Sequence, residues 1–341
     1  MTDTGPLFVS SGDLIADRRY KWALDHAARG DFAGAADILV QAVELAPVFA
    51  TAWFALGTIR ERLGDQAGAI VAFKKARDAD PEDYHGARLQ LARLGSGDAS
   101  PAMSESYVRR LFDQYAARYD AALQHLAYRG PAILREAIEK VMHAAGRPLR
   151  FPSILDLGCG TGLGGAAFRS LVDWLVGVDL SPAMIAQART KGLYDRLATA
   201  ELTDFLADEA GNAAKYHLVL AADVFVYVND LMPIVAAIAR VLAPGSLFAF
   251  TVETHSGDGV KLLPTLRYAH GEATIRRALE DSGLTLAYLS AIAVRSEKGV
   301  PVDSLVVVGE NPSAHSRASG NPVPEERKTT GSPPPRGRAE N

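Results

Sequence analysis

A single cysteine, Cys159, occurs in 341 residues, so no disulfide can form within the chain and a reducing compartment is the simpler setting. Positive charge is not in excess either. Lys and Arg number 36 against 40 Asp and Glu, a net charge of −4, and no basic stripe is available for nucleic acid. No apolar run approaches the roughly 18 residues that a membrane-crossing helix needs. Met1 to Asp13 lacks a basic patch followed by an apolar stretch, so no secretory signal is expected. His, Cys and Asp nowhere cluster at metal-ligand spacing. These absences point to a cytoplasmic protein with no membrane, nucleic-acid or metal partner. What is present is 48% apolar residues, enough for a sizeable core, in a length that suits two domains with tails.

A repeat comes first along the chain. The pairs Gly30-Asp31 and Gly64-Asp65 lie 34 residues apart, as do Ala35 and Ala69, Ala42 and Ala76, and Pro47 and Pro81. In the second copy Trp53, Leu56, Gly57, Ala69, Phe73, Ala76 and Pro81 take the helix–turn–helix positions of a tetratricopeptide repeat. Small alanines let antiparallel helices approach, and each proline ends the second helix of its copy. The first copy is degraded, with its tryptophan three residues late at Trp22. Residues 83–94 read as one further helix capping the stack. The module is expected over residues 13–95, and a small polar linker, rich in Gly and Ser, over 96–103.

Two helical patterns follow, over 104–119 and 131–145. From Ser153 short β-rich runs alternate with helices, which predicts a parallel α/β sheet. Strands are expected at 153–157, 174–178, 197–202, 217–221, 246–252, 285–295 and 303–309. The last two are separated by too few residues for a crossover helix, so an antiparallel hairpin is expected. This α/β domain should span 104–310. From Asn311 to Asn341 the composition collapses, with six of the 18 prolines in these residues; a disordered tail is expected.

The chemistry is carried by Ile154-Leu-Asp-Leu-Gly-Cys-Gly-Thr-Gly-Leu-Gly-Gly165, an apolar strand running into a glycine loop that opens a helix. Gly158, Gly160 and Gly162 allow a tight turn and a close backbone approach to a ligand. Gly160, Gly162 and Gly165 also satisfy the dinucleotide pattern, but Asp156 argues against a pyrophosphate, which a neighbouring carboxylate repels. S-adenosylmethionine carries an ammonium and a sulfonium instead, which an acid favours, so the loop reads as a site for that cofactor. Asp179, seventeen residues after Gly162, can accept both ribose hydroxyls, with Leu180 beside it. Ser181 and Pro182 start a helix that places Met184 against the adenine. Glu201 offers an acceptor for the adenine amino group and Leu202 a backbone N–H; Asp204 competes if the third strand ends later.

Residues 104–310 resemble the class I methyltransferase superfamily. With the repeats, with Tyr107-Val-Arg-Arg-Leu-Phe-Asp-Gln-Tyr-Ala-Ala-Arg-Tyr-Asp120 and Leu126-Ala-Tyr-Arg-Gly-Pro131, and with Ala222-Asp-Val-Phe-Val-Tyr227 and Arg267-Tyr-Ala-His270, the chain is similar to a bacterial family of predicted methyltransferases containing TPR repeats. The resemblance implies a Rossmann-like sheet of seven strands with the final hairpin antiparallel, and S-adenosylmethionine as methyl donor. His217 departs from the pattern, which usually has Asp there. The helix carrying Tyr115 and Tyr119 would lie over the methionine end of the cofactor, although a stripe of this kind also suits plain core. Asp223, just past the fourth strand, and His270, as general base, are the candidate catalytic groups.

The family implies no acceptor. A small molecule is favoured over a protein docked by the repeats, because two repeats offer little surface and the tyrosines suit a closed pocket. The alternative is a non-catalytic, cofactor-binding scaffold whose repeats hold a protein partner; a nicotinamide-dependent dehydrogenase is disfavoured by Asp156. Truncating the chain after Glu310 should leave both the melting temperature and the cofactor affinity unchanged, and thermal unfolding with calorimetry checks it.

Overall fold

A computed structural model describes residues 8–98 and 103–313. The repeat module comprises α1 (Leu14–Ala28), α2 (Phe32–Leu45), α3 (Ala50–Arg62), α4 (Gln66–Ala79) and α5 (Ala87–Arg93). Its 34-residue period is a repetition of caps as well as of core. The Asp31 carboxylate accepts the Gly34 N–H at 2.9 Å to start α2, and Asp65 accepts the Gly68 N–H at 2.8 Å to start α4. Each cap satisfies a backbone donor that the first turn leaves orphaned. Ala35, Ala42, Ala69 and Ala76 are all buried where paired helices cross. Trp22 is 54% exposed; Tyr20, 34 residues before Phe54, fills the core of the first copy instead. The capping helix starts later than its pattern suggests. Buried Asp83 accepts the Ala87 and Arg88 N–H groups from a turn, so residues 83–86 form its approach.

Residues 104–119 form α6 (Glu105–Tyr115) and a 3₁₀ turn, Ala116–Arg118, after which α7 (Tyr119–His125) begins. α6 rests on the repeat module. The Ser104 hydroxyl donates to the Asp83 carbonyl at 3.2 Å, and the Arg110 guanidinium stacks 4.0 Å from the Tyr84 ring centroid. α8 (Gly130–Ala144) then leads into the sheet.

That sheet is built from β1 (Phe151–Leu157), β2 (Val172–Asp179), β3 (Arg196–Thr199), β4 (Tyr216–Ala221), β5 (Leu242–Thr254), two short strands β6 (Val260–Leu262) and β7 (Tyr268–His270), then β8 (Thr285–Ala291) and β11 (Ser304–Glu310). Its main path runs β3-β2-β1-β4-β5-β11-β8, with β11 antiparallel to both neighbours. This is the expected Rossmann-like arrangement with its final antiparallel hairpin. The order reverses at β1, so a crevice opens above the carboxyl ends of β1 and β4. β9 (Ser296–Glu297) and β10 (Val300–Pro301) make a separate small hairpin within the connection before β11. α9 (Leu163–Phe168) and α8 cover one face; α11 (Leu202–Gly211), α12 (Met232–Val241) and α13 (Glu272–Asp281) cover the other, and α10 (Pro182–Thr190) follows β2.

Period-two alternation sorts the strand residues. Leu155 and Leu157 join the core with Phe248 and Phe250, whose rings stack 4.6 Å apart, while Ile154 and Leu175 join the core under α8. Asp156 therefore lies on the α8–α9 face, at the strand's end.

Three expectations change. The third strand stops at Thr199 and Leu202 opens α11, because the Glu201 carboxylate caps that helix. The eighth strand ends at Ala291, short of residue 295. Asn311, placed in the tail by composition, belongs to the fold: its amide donates to the Leu242 and Ala243 carbonyls at 3.1 and 3.2 Å, so a truncation that leaves stability unchanged has to follow Asn311 and not Glu310. The rest of the expected tail, from residue 314, lies outside the described residues, as do 99–102 of the expected linker. His217 is accommodated by the Ser153 hydroxyl, 3.0 Å from its Nδ1 on the neighbouring strand.

Phe73 is fully buried against Phe54, ring centroids 5.3 Å apart, and against the bare backbone of Gly57. Phe73→Ala should cost about 3–5 kcal/mol, seen as a lower unfolding midpoint in denaturant.

Candidate functional site

The Asp179 carboxylate, at the end of β2, organises the carboxyl edge of the sheet. One oxygen accepts the Gly160 N–H at 2.9 Å and the other accepts the Ser181 N–H at 2.8 Å. Each oxygen keeps a second lone pair for a ligand. Burial pushes its carboxyl up to about 6, against the pull of those N–H groups. The glycine loop is shaped to match. Gly158 has φ +61°, and a Cβ there would lie 2.6 Å from Val224 Cγ2, so only glycine lets the two loops meet.

Asp156 sits beneath the same loop, 2% exposed. The Tyr194 hydroxyl donates to it at 2.7 Å and accepts the Gly165 N–H at 2.9 Å, tying the strand end to the start of α9. Burial raises the Asp156 carboxyl to about 7, despite the Tyr194 hydrogen bond. Asp156 lines a small cleft with Tyr119, Gly158 and Gly160. Gly162, at φ +95°, packs towards Tyr194 and lies outside the cavity bounded by Gly158, Gly160 and Asp179.

That cavity is lined by Gly158, Gly160, Asp179, Leu180, Met184, Glu201, Leu202, Tyr119 and Asp223. Nine of the sequence candidates thus converge on one space. Phe112, on the same helical stripe as Tyr115 and Tyr119, lines it too, and sequence reasoning missed several other walls: Met103, Ser104, Glu105 and Val108 at the start of α6, and Val224, Tyr227 and Val228 after β4. Aliphatic residues in loops carry no signal of their own; the amphipathic face of α6 was the one clue. Glu201 takes part with a carboxylate already engaged, since Oε2 accepts the Thr203 and Asp204 N–H groups at 2.6 and 2.9 Å.

α6 and α7 form a lid, and two acids pin it. Asp113 accepts the Ser181 hydroxyl and the Ala183 N–H at the start of α10. Asp120 accepts the Thr161 hydroxyl from the glycine loop and pairs with Lys191 at 2.7 Å.

Besides Asp156 and Gly162, two candidates stand elsewhere. Tyr115 does not line the Asp179 cavity; it lines a second one beyond the lid, with Leu111, Leu126, Arg267 and Arg295. His270 is fully buried in β7 and lines neither cavity. Its Nε2 lies 3.2 Å from the Phe225 carbonyl, Nδ1 has no hydrogen-bond partner, and burial pushes its pKa down. A ring buried within a strand, out of reach of the crevice, cannot serve as a base there; Arg267-Tyr-Ala-His270 lies outside every strand expected from the sequence, yet Tyr268–His270 form β7.

Asp223 is the candidate that the fold places most favourably. It lines both cavities, in the left-handed region at φ +61°, with its N–H donated to the Thr251 hydroxyl at 2.8 Å. Aspartate tolerates that conformation better than most residues, and such strain concentrates at functional sites. Arg295, 1% exposed, donates to Asp223 at 2.5 Å and also to Glu253. Among the described residues no helix is long and apolar enough to cross a membrane, and no group of acids, histidines and cysteine could hold a metal.

A methyltransferase domain model matches residues 154–245, and a tetratricopeptide repeat model matches residues 20–84. Human methyltransferase-like protein 27 is 31% identical over 197 residues, which cover 57% of this chain and 73% of that protein. Similar solved structures include the Haloferax volcanii protein in complex with the Trm112 methyltransferase activator (22% identity, 59% of this chain and 97% of that one, TM-score 0.45). Another is magnesium protoporphyrin IX methyltransferase from Synechocystis PCC 6803 with bound S-adenosylhomocysteine (17% identity, 60% and 98% covered, TM-score 0.44). By its domain and its human relative, the chain belongs to the S-adenosylmethionine-dependent methyltransferases, in a form that carries tetratricopeptide repeats ahead of the catalytic fold.

Proposed function

We propose that this methyltransferase modifies a small molecule, bound in the second cavity and reached through the wall that both cavities share. The observation that carries the reading is that wall: Phe112, Tyr119, Asp223 and Tyr227 line both spaces. A donor on one side and an acceptor on the other would meet there, enclosed beneath α6 and α7. A protein acceptor would need an open face. Two repeats offer little such surface, and the turn at 83–86 that follows them holds α6.

In this reading Asp179 accepts the ribose hydroxyls with its remaining lone pairs, and Met184 and Leu180 pack against the adenine. Glu201 and Leu202 face its edge. Gly158 and Gly160 admit the ligand backbone-close, and the open space over Gly160, where a Cβ would meet only Tyr119 at 3.8 Å, suits that role. Asp156 favours the ammonium of the methionine portion. Tyr119 closes the methionine end. The bound cofactor supplies an electrophilic methyl carbon; the chain's part is to align the acceptor, exclude water and take up a proton at Asp223.

Asp179→Ala should weaken S-adenosylhomocysteine binding more than tenfold in calorimetry, since charge-assisted contacts to two hydroxyls are lost. Unchanged affinity would sink the assignment. A second expectation concerns pH. In the folded, cofactor-free chain Asp156 and Asp179 hold protons up to about 7 and about 6, against 3.8 for a free carboxyl. The folded state therefore binds more protons than the unfolded state across that window, and stability falls as pH rises through it. A ligand ammonium beside the ionised carboxylates offsets that loss, so the rise in melting temperature produced by S-adenosylhomocysteine should be larger at pH 8 than at pH 5.

A further inference from the structure

The second cavity encloses about 400 Å³, room for a molecule of two fused rings. Its walls are apolar and aromatic: Leu111, Phe112, Tyr115 and Leu126, with the Phe112 ring edge-on to Tyr227 at 5.2 Å. Around Asp223, at the wall shared with the first cavity, lies a network of five ionised groups. Asp223, Arg267 and Arg295 line the space, and Glu253 and Glu297 stand behind them, outside the lining. Arg295 contacts Asp223, Glu253 and, at 3.4 Å, Glu297. Arg267 contacts Glu297 at 2.5 Å and Glu253 at 3.4 Å; its Nε has no partner but is closed to solvent. The mouth is formed by Arg118, Ala121 and His125, exposed residues that line this cavity and not the first. His125 Nδ1 donates to the Ala121 carbonyl at 2.6 Å, and the Arg118 guanidinium lies 5.1 Å from the Tyr115 ring centroid. Among the described residues, Arg118 has no carboxylate within ion-pair distance, unlike the other two guanidinium groups of the lining.

We infer that the acceptor is an aromatic acid, its carboxylate held at the mouth by Arg118 and its methylated atom at the other end, against the shared wall; this rests on the reading of the second cavity as the acceptor site. The placement of charge decides it. The lining holds three guanidinium groups and one carboxylate. Two of the three, Arg267 and Arg295, are matched by Asp223 and by the two glutamates behind them, so they need no further anion. The carboxylates gathered there would repel another brought among them. Arg118 is different. Its contact with the Tyr115 ring holds the guanidinium at the mouth and leaves its fork of N–H donors free, an arrangement that takes a carboxylate through two parallel hydrogen bonds. A carboxylate at the mouth also stays partly in water and escapes the cost of burial against apolar walls. Between the ends, Phe112, Tyr115, Tyr119 and Tyr227 present four rings, which favour a flat aromatic body. A cation at the mouth and a carboxylate at the far wall thus orient the ligand end for end.

Calorimetry on the full chain saturated with S-adenosylhomocysteine tests this with two probes of one ring system, 2-naphthoate and its uncharged amide, 2-naphthamide. Arg118 does not line the first cavity, so the demethylated cofactor serves as well as the methyl donor. Naphthoate should bind at least tenfold more tightly than the amide. In Arg118→Gln, naphthoate should weaken tenfold or more, while naphthamide and S-adenosylhomocysteine change less than threefold. Arg118→Lys, which keeps the charge but not the fork, should fall between. Equal binding of the two probes by the natural chain overturns the inference and leaves the acceptor cavity standing. So does a preference for naphthoate that survives in Arg118→Gln, which would put the anion on Arg267 or Arg295. Binding of neither probe while S-adenosylhomocysteine binds overturns the inference and the acceptor cavity together, and leaves the cofactor site. Failure of S-adenosylhomocysteine to bind overturns all three.

Discussion

One carboxylate, that of Asp179, takes a backbone N–H from each of the first two loops at the carboxyl edge of the sheet. Most of the crevice depends on that grip. It fixes the glycine loop at the distance at which Gly158 meets Val224, and it sets the start of α10, whose Ser181 hydroxyl then reaches Asp113 on the lid. The lid in turn presents Phe112 and Tyr119 to both cavities. The group is desolvated, yet its hydrogen bonds to the ionised form pull against the protonation that burial favours. Rigidity of the loops and readiness to ionise therefore come from the same two donors.

The parts of this architecture that were legible in the chain are those set by short-range rules. Caps at Asp31 and Asp65, glycines at fixed spacing and alternating apolar runs each act within a few residues, so period and fold class could be read directly. The convergence of Gly158, Gly160, Asp179, Met184 and Glu201 was readable because strand ends in a parallel sheet share an edge. Glu201 shows the limit: as a helix cap it moved the end of the third strand, a competition between two local signals. His270 shows another, since a three-residue strand has too little pattern to distinguish it from a loop.

What sequence reasoning could not reach is set by contacts between distant segments. Arg295 was read as the last residue of a strand, yet the chain leaves the sheet four residues earlier and turns the guanidinium inward to Asp223, 72 positions away. Nothing in the residues near Arg295 announces that pairing. The five-membered network exists because buried charges must be matched, and its members come from β5, the start of β7, the β9 hairpin and the loop after β4. Removing Arg295 would leave Asp223 largely buried without its cation, whereas Glu253 and Glu297 would keep Arg267, so the cost of each deletion depends on the others.

The join between repeats and sheet has a consequence for how such chains can be rearranged. A Gly- and Ser-rich stretch between two recognisable modules looks like a natural place to cut and exchange them. Here the helix that roofs the crevice has its footing on the far side of that stretch, with Ser104 on Asp83, Tyr107 against Gly86 and Arg110 over Tyr84. A graft that keeps the sheet and swaps the repeats would inherit a roof without its foundation. The transferable unit is larger than either module: it runs from the turn before α5 through the last strand, and only the helices ahead of that turn are free to vary.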